Sequence, residues 1–430
     1  MRMSGLPWLL GILAGCAATH EHTADRPPNI IMVMADDVGV EAFSSYGGTS
    51  YQTPHIDALV ARGMRFTHCY SQPLCTPTRV KIMTGRSNAR NYQSFSVLRP
   101  GEPCFAQVLK SAGYTTAVVG KWQLFAAEHY QKDLRGTGVR PEQVGFDEWC
   151  LWQIEKLGSR YWRPQYEVNG QLTLGSAEQF GPKVYTDFLL DFIEKNRDRP
   201  FLGYFPMALV HSPFVPTPDS PDPKAKNSPA HFGAMMSYMD KLIGRIADKL
   251  DELGIADNTL LIFTGDNGTH KRIVSQTQAG EVRGGKGLTN HRGNHVPMIA
   301  VWPGTISAGA VNEDLIDFTD FFPTFAEIAG ADTDTAQPLD GVSFLPQLRG
   351  KPGRKRSALT CYYHPRPITR KKSKAVRFAF DKRFKLYGDG RLFDLVEDPE
   401  ETTPIPGDAK ALAKRARVQL REALDAMPQR

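Results

Sequence analysis

The stretch NIIMVMADD at residues 29–37 places two aspartates directly after a run of almost entirely apolar residues. A short continuous run of this kind is typical of a strand buried on both faces of a parallel sheet. Residues 259–264 form a second such run, and an Asp-Asn pair follows it closely. Open α/β sheets bind ligands beyond the carboxyl ends of their strands. The sequence therefore predicts one polar cluster at that edge, formed by Asp36, Asp37, Asp266 and Asn267.

The order of strand and helix patterns predicts the fold class. These patterns alternate from about residue 29 to 330, which indicates an α/β domain with a largely parallel central sheet flanked by helices. Beyond residue 350, short β-like runs precede a charged helix, which predicts a small α+β subdomain with a short antiparallel sheet. The α/β domain is then predicted to span residues 29–345, and the C-terminal subdomain residues 346–430.

The segment of residues 126–182 is rich in glycine, tryptophan and charge, and we predict an irregular insertion near the polar cluster. Its tryptophans could stack on sugar rings, although packing in the core of the insertion is an equal alternative. These tryptophans are Trp149, Trp152 and Trp162.

The composition limits the classes of function. The chain has 430 residues, of which 41% are hydrophobic and 23% charged, so it can bury a substantial core. Its net charge is +6, and it has no basic motif interleaved with aromatic residues. Nucleic acid is therefore not an expected partner.

The N-terminus has the pattern of an export signal. Arg2 precedes an apolar stretch over residues 6–13 that is too short to span a bilayer. The stretch ends in Leu-Ala-Gly-Cys, which resembles the lipobox of bacterial lipoprotein signals. This resemblance implies a signal peptide at residues 1–15, a lipid on Cys16 and a tether over residues 16–28. The protein would then be exported to the periplasm, outer membrane or cell surface, and would contact membranes only through the lipid; a plain secretory signal is the alternative.

The pentapeptide CTPTR at residues 75–79 contains the candidate nucleophile, Cys75. The oxygen donors predicted at the sheet edge suit Ca²⁺ or Mg²⁺ better than zinc, although Asp-Asp and Asp-Asn-Gly are also common turn sequences. A thiolate nucleophile needs a neighbouring histidine or another feature that lowers its pKa, and the motif contains no histidine. Because a hard cation is also a poor partner for sulfur, an oxygenated group would fit this position better.

CTPTR resembles the signature of the type I sulfatases, members of the alkaline phosphatase-like superfamily in which this cysteine is oxidised to formylglycine. Further resemblances follow in the family's order across nearly the whole chain. They are ADDVG at 35–39, TPHIDAL at 53–59, GMRFT at 63–67, GKW at 120–122, HSP at 211–213, SYMD at 237–240, TGDNG at 264–268, GGKG at 284–287 and LFDLVEDPE at 392–400.

The resemblance implies an alkaline phosphatase-like fold, with residues 29–345 as the catalytic domain, and hydrolysis of sulfate esters. Formylglycine made from Cys75 by a formylglycine-generating enzyme would attack sulfur with one hydroxyl of its hydrate and expel sulfate with the other. Arg79 would steady this group. The implied metal ligands, for Ca²⁺ or alternatively Mg²⁺, are Asp36, Asp37, Cys75, Asp266 and Asn267. The implied sulfate clamp is Lys121, His211 and Lys286, with His211 or Lys286 protonating the leaving alcohol.

Two positions depart from the family pattern. Gln123 stands where the family usually has a histidine that takes a proton as sulfate leaves, and glutamine cannot act as a base near neutral pH. After the GGKG segment the chain has His291, Arg292 and His295 where the family continues differently. Candidates for substrate contacts are Gln123, His291, Arg292 and His295, and the two histidines are also candidates for the missing base. Surface histidines on a mobile loop are the alternative.

Three functions remain compatible with the sequence. The first is a sulfatase acting on a sulfated carbohydrate or an aryl sulfate. The second is a phosphomonoester or phosphodiester hydrolase of the same superfamily, although the serine or threonine nucleophile usual there is absent. The third, motivated by Gln123, is a non-catalytic protein that binds sulfated glycans.

Overall fold

The computed structural model describes residues 26–333, 337–367, 374–407 and 411–428. Cys16 and the predicted signal peptide lie outside the described residues. Among the residues that are described, no helix is both long enough and apolar enough to cross a membrane.

The strands of the structure, in chain order, are β1 (Asn29–Ala35), β2 (Met64–Tyr70), β3 (Thr115–Lys121), β4 (Glu148–Trp152), β5 (Gln165–Val168), β6 (Gln171–Leu174), β7 (Phe201–Pro206), β8 (Thr259–Gly265), β9 (Val274–Thr277), β10 (Gly280–Arg283), β11 (His295–Val301), β12 (Ala310–Asn312), β13 (Ile316–Asp317), β14 (Leu359–Tyr363), β15 (Val376–Phe380), β16 (Phe384–Tyr387) and β17 (Leu392–Asp394). The α-helices are α1 (Pro54–Arg62), α2 (Cys75–Thr84), α3 (Asn88–Asn91), α4 (Phe105–Ser111), α5 (Gly181–Lys195), α6 (Phe232–Glu252), α7 (His291–Asn294), α8 (Phe321–Ile328), α9 (Leu345–Leu348) and α10 (Ala411–Asp425).

The main sheet has the strand order β12-β2-β11-β8-β1-β7-β3-β4-β5-β6, with β13 also paired to β2. At its centre, β8, β1, β7, β3 and β4 run parallel to one another. The antiparallel strand β11 joins β8 to β2, and β5 and β6 are antiparallel additions at the other edge. The predicted fold class, a largely parallel sheet flanked by helices, is confirmed.

Strand β1 shows why the apolar run is continuous. Ile30, Met32 and Met34 belong to the hydrophobic core on the face of the sheet that α4 and α8 cover. Ile31 and Val33 belong to the core on the other face, with α5 and α6. Because helices cover both faces, successive side chains of a central strand are all buried, and the alternation of a half-exposed strand is lost.

The prediction of an irregular insertion over residues 126–182 was wrong in one respect. This segment supplies β4, β5 and β6, which extend the main sheet, and Trp152 at the end of β4 pairs in register with Lys121. These strands are short, and β6 is largely exposed at the sheet edge, so neither a long apolar run nor a regular alternation marks them in the sequence. Trp149 and Trp152 are buried, as the core-packing alternative predicted.

The C-terminal part contains a four-stranded antiparallel sheet with the order β14-β15-β16-β17, as predicted. Helix α10 packs on this sheet through Leu420 and Leu424. The other face contributes to a core that includes Tyr70 of β2, so the C-terminal sheet lies against the main domain.

Candidate active site

The cluster predicted at the carboxyl edge of the sheet is present in the structure. Asp36 follows β1 and Asp266 follows β8, and the adjacent pairing of these two strands brings the residues together. The Asp266 backbone N–H donates to the carbonyl oxygen of Ala35 at 2.8 Å, which continues the pairing of the two strands. Asp36, Asp37, Asp266 and Asn267 have no solvent exposure.

Hydrogen bonds fix the relative positions of these side chains. The Asp37 backbone N–H donates to Asp266 Oδ1 at 3.1 Å, and Asn267 Nδ2 donates to Asp37 Oδ1 at 2.9 Å. Asp37 has a φ of 65°, a left-handed conformation that only a few residue types tolerate, aspartate among them. The chain therefore turns sharply directly after β1 and places two consecutive carboxylates in one buried cluster.

Cys75 is the first residue of α2 and is 1% exposed. Within the described residues its thiol has no hydrogen-bond partner. Thr78, one helical turn later, donates from Oγ1 to the backbone carbonyl of Asp266 at 2.7 Å. Arg79 donates from Nη2 to Asp266 Oδ2 at 3.0 Å and from Nη1 to the carbonyl of Lys121 at 2.9 Å. Two side chains of α2 thus join the start of the helix to the ends of β8 and β3.

Three basic side chains reach the carboxylates from different parts of the chain. Lys121 Nζ donates to Asp36 Oδ2 at 2.7 Å, and Lys286 Nζ donates to Asp37 Oδ2 at 2.6 Å. His211 Nε2 lies 3.7 Å from Asp37 Oδ2, and its side chain is 20% exposed. The structure therefore brings the whole predicted sulfate clamp to the predicted metal ligands.

Burial and neighbouring charge act on these groups in opposite directions. Burial alone would raise the pKa of Asp36, but the positive charge of Lys121 and other cations holds that pKa well below its usual range. Burial raises the pKa of Asp266, and the charge of Asp36 raises it further. Burial lowers the pKa of His211 to about 3, although the charge of Asp37 opposes this effect. Burial would lower the pKa of Lys286, but the negative charges of Asp37, Cys75 and Asp36 together outweigh burial and raise it.

The residues of the cluster fit a hard cation. Asp36 Oδ1 and Asn267 Oδ1 are buried and have no hydrogen-bond partner within the described part of the chain. Ligand atoms of Asp36, Asp37 and His211 all lie within 4.8 Å of one another. Buried acceptor oxygens without donors are costly, and carboxylate and amide oxygens are the ligands that Ca²⁺ and Mg²⁺ prefer. The clustering of Asp36 and Asp37 with Asp266 and Asn267 agrees with the ligand set predicted from the sequence, whose role stays a prediction.

The residues at the two departures from the family pattern are placed differently. Gln123 is 6% exposed, and its Oε1 has no hydrogen-bond partner in the described ranges. His295 Nε2 is 2.9 Å from the carbonyl of Thr67, and both His291 and His295 pack against Tyr70. These two histidines are therefore part of a partly buried aromatic stack rather than of an exposed loop.

Arg292 is also directed away from the carboxylates. Its Nη2 forms an ion pair with Glu400, and its Nη1 donates to the carbonyl of Arg283 at 3.2 Å. The hydrogen bonds and ion pairs of the described residues do not connect His291, Arg292 or His295 to Asp36 or Asp37.

One residue at the site was not predicted. Arg160, from the segment between β4 and β5, has its Nη1 4.0 Å from Asp36 Oδ2, and its guanidinium carbon lies 3.9 Å from the centre of the Trp152 ring. A single arginine in a segment without a recognisable pattern gives no signal in the sequence. The only hint was the unusual number of tryptophans near it.

The sulfatase family model matches residues 28–331, and the model of the C-terminal region of N-sulphoglucosamine sulphohydrolase matches residues 286–429. The chain is 28% identical to the mouse steryl-sulfatase, over 98% of this chain and 85% of that protein. It is 30% identical to the human N-acetylgalactosamine-6-sulfatase, over 76% of this chain and 66% of that protein.

The fold is also similar to solved structures. A crystal structure of the protein Ps i-CgsB has a TM-score of 0.76, with 23% sequence identity and 93% of each chain covered. At this level of identity the similarity shows a common fold and carries no statement about substrate.

Proposed function

This chain belongs to the sulfatase family and is a sulfuric ester hydrolase, and from that premise we propose that it desulfates carbohydrates through a formylglycine made from Cys75 and a calcium ion. The observation that supports this proposal most directly is the buried cluster of oxygen atoms, which Thr78 and Arg79 join to the helix that Cys75 begins. Two of these oxygens have no donor within the described residues, and three basic side chains surround them.

The residues that would hold the calcium ion are Asp36, Asp37, Asp266 and Asn267, with the group formed from Cys75. The ion would supply positive charge against the sulfate oxygens, and the formylglycine would supply an oxygen nucleophile in place of a thiol. Arg79 would keep this arrangement rigid, since it links Asp266 to the backbone of Lys121.

Lys121 and Lys286 are suited to bind the sulfate group. An ammonium group has three N–H donors, and each of these lysines uses one of them on an aspartate oxygen. The other donors can bind sulfate oxygens. Fixed cations around the sulfate stabilise the negative charge that develops on it during ester cleavage.

Lys286 is better suited than His211 to protonate the leaving alcohol, because Lys286 keeps its charge beside Asp37 whereas burial lowers the pKa of His211 to about 3. The Nδ1 of His211 lies 2.5 Å from the carbonyl of Ser212, and because a carbonyl only accepts, Nδ1 carries the hydrogen. Its Nε2, which lies 3.7 Å from Asp37 Oδ2, then carries no hydrogen and can accept a hydrogen bond or a proton from the substrate. Gln123 can donate or accept hydrogen bonds to substrate but cannot act as a base near neutral pH.

Two relatives differ in the substrate class that their names give. The human relative named N-acetylgalactosamine-6-sulfatase favours a sulfated sugar, whereas the mouse relative named steryl-sulfatase favours a steroid. Burial of Trp149 and Trp152 removes two of the three tryptophans that could have stacked on a sugar ring. Both substrate classes therefore belong in the test.

The test combines mass spectrometry of the peptide containing Cys75 with an activity screen. Protein co-expressed with a formylglycine-generating enzyme should contain an aldehyde at Cys75 and should hydrolyse sulfated sugars with added calcium. Cys75→Ala should lower kcat by at least about a thousandfold, since the nucleophile cannot form. Cys150→Ala is the matched control, because Cys150 is a buried thiol in β4 and should leave kcat unchanged.

The same screen separates the alternatives. Preference for steryl or aryl sulfates over all sulfated sugars would reject the carbohydrate part alone, and faster hydrolysis of phosphate esters would indicate a phosphatase. Binding of sulfated glycans without turnover, by protein with fully converted Cys75, would mean that the chain is a non-catalytic binder.

We also propose that the protein is exported and anchored by a lipid on Cys16, that is, in the periplasm or at the outer membrane or cell surface. The support for this proposal is the sequence Leu-Ala-Gly-Cys at residues 13–16 alone, because these residues lie outside the described ranges.

A further inference from the structure

Arg160 is held at the candidate active site by a tryptophan of the main sheet. Trp152 ends β4 and pairs in register with Lys121, so its ring lies beside one of the predicted sulfate-binding lysines. The guanidinium carbon of Arg160 is 3.9 Å from the centre of this ring. Stacking on an aromatic face fixes the plane of a guanidinium group and favours its charge.

The backbone on both sides of Arg160 is also fixed. On one side, Trp152 Nε1 donates to the carbonyl of Gly158 at 2.9 Å. On the other side, the Tyr161 hydroxyl donates to the carbonyl of Ala208 at 2.8 Å and also bonds the carbonyl of His211. Hydrogen bonds therefore hold the backbone around Arg160 to the end of β4 and to the loop that contains His211.

The end of the Arg160 side chain lacks a hydrogen-bond partner. Nη1 is buried and forms no hydrogen bond within the described residues, and its distance of 4.0 Å to Asp36 Oδ2 is too long for one. That oxygen already accepts from Lys121 Nζ at 2.7 Å. A guanidinium stays charged, and leaving its N–H groups unpaired in a buried position is unfavourable. An oxyanion beside Lys121 would satisfy them.

We propose that Arg160 contacts the substrate and donates a hydrogen bond from Nη1 to an oxygen of the sulfate group. This inference rests on the proposed function, and it adds to the sulfate clamp a cation that the sequence motifs do not contain. Arg160 lies in the segment between β4 and β5, so this segment takes part in sulfate binding while Trp152 acts as the positioning residue.

The experiment is a titration of the calcium-loaded full chain with inorganic sulfate by isothermal calorimetry. Arg160→Gln should weaken sulfate binding about tenfold to a hundredfold, as expected for loss of a charge-assisted hydrogen bond. Lys156→Gln removes one positive charge from the same segment, but Lys156 pairs with Glu128 at the surface, so this control should bind sulfate like the wild type. The midpoint of thermal unfolding without sulfate should be the same for wild type and Arg160→Gln.

Each other outcome has a distinct meaning. Equal sulfate affinity of wild type and Arg160→Gln would overturn this inference and leave the proposed function intact. A lower thermal midpoint with unchanged sulfate affinity would show that Arg160 only stabilises the segment, which also overturns it. Absence of both sulfate binding and sulfatase activity in the wild type would reject the proposed function itself.

Discussion

Helix α2 contributes to two buried clusters of charged residues, and they differ in one respect. Arg79 belongs to the candidate active site, where it bonds Asp266. Lys81, two residues later, donates to Asp317 Oδ2 at 2.6 Å in a second cluster, which we call the structural cluster and which also contains Asp320 and Arg356. The Arg79–Asp266 pair and the Lys81–Asp317 pair are both almost completely removed from solvent.

The polar atoms of the two clusters are satisfied to different extents. In the structural cluster, Asp317 Oδ1 accepts from the N–H and hydroxyl of Thr319, and Asp320 accepts from backbone N–H groups and from Arg356. None of its four charged side chains has an unpartnered buried atom among the described residues.

In the site, by contrast, Asp36 Oδ1, Asn267 Oδ1, Arg79 Nε and Arg160 Nη1 are unpartnered. Buried charged groups therefore occur both in the structural cluster and in the candidate active site. In this pair of clusters, the unsatisfied atoms belong to the proposed ligand site, whereas the groups of the structural cluster satisfy one another.

The largest effect that this comparison predicts is on stability, in the structural cluster. Asp317→Asn should lower the free energy of unfolding by about 3–5 kcal/mol, because Lys81 would keep its charge in a buried position without a partner. Urea denaturation followed by circular dichroism measures the change. The sulfatase activity of the protein that remains folded should be unchanged.

Asp251→Asn is the matched control for this substitution. Asp251 pairs with Arg62 at the surface, where its side chain is 44% exposed, so its loss should cost less than about 1 kcal/mol. Similar losses for Asp251→Asn and Asp317→Asn would mean that the buried pair does not stabilise the fold.

The next effect is the stabilisation of the fold by calcium, which should depend on the candidate active site and not on the structural cluster. Calcium at a hundred times its dissociation constant should raise the free energy of unfolding of the wild type by about 2.7 kcal/mol, since it binds only the folded chain. Asp36→Asn should abolish this increase, because it removes a carboxylate with an unpartnered oxygen. Thermal unfolding with calcium and with a chelator measures both.

Asp317→Asn serves as the control in the calcium experiment, because it weakens the fold outside the site and should keep the full calcium increase. If Asp36→Asn still responded to calcium like the wild type, Asp36 would not be a metal ligand.

The smallest effect tests a third buried region, the stack of His68, His291 and His295 against Tyr70. His291 Nε2 is unpartnered there, but the stack contains no carboxylate, so the comparison predicts neutral imidazoles rather than a ligand site. Burial lowers the pKa of His295 to about 4. Below about pH 6.5 the unfolded chain therefore binds a proton at His295, whereas the folded chain does not. The free energy of unfolding falls as the pH falls from 6.5 towards 4.

Between pH 7 and pH 5, His295 should reduce the free energy of unfolding by about 2 kcal/mol. Urea denaturation at both pH values should show this loss in the wild type and in the control His231→Gln, whose imidazole lies on a surface loop, and a smaller loss in His295→Gln. The same pH dependence in all three proteins would contradict a neutral, buried His295.

Much of the fold follows from local patterns. The two apolar runs of the sequence analysis predicted β1 and β8 within a residue or two of their observed ends. Among the strands that the patterns missed, β5 and β6 are short and β6 is largely exposed, so neither has a continuous apolar run. Strand β11 is antiparallel between β8 and β2, and β4 to β6 continue the sheet beyond β3, so their order is set by packing rather than by local propensity.

The sequence also predicted part of the candidate site. Residues that directly follow strongly patterned strands, such as Asp36 and Asp266, could be placed together because parallel neighbours end at the same edge. His291 and His295 were assigned a possible role at the site because they are close to Lys286 in sequence, and the structure instead places them beside Tyr70. Closeness in sequence does not determine which side of a turn a side chain faces.

The sequence alone therefore determined the family, the parallel sheet and the residues that gather at its carboxyl edge, because motifs and strand periodicity are local properties of the chain. Only the tertiary structure decided that Arg160 joins them and that Asp36 Oδ1 and Asn267 Oδ1 lack donors while the carboxylates of the structural cluster do not. Whether a buried polar atom is satisfied depends on every group packed around it, and those groups come from distant parts of the chain.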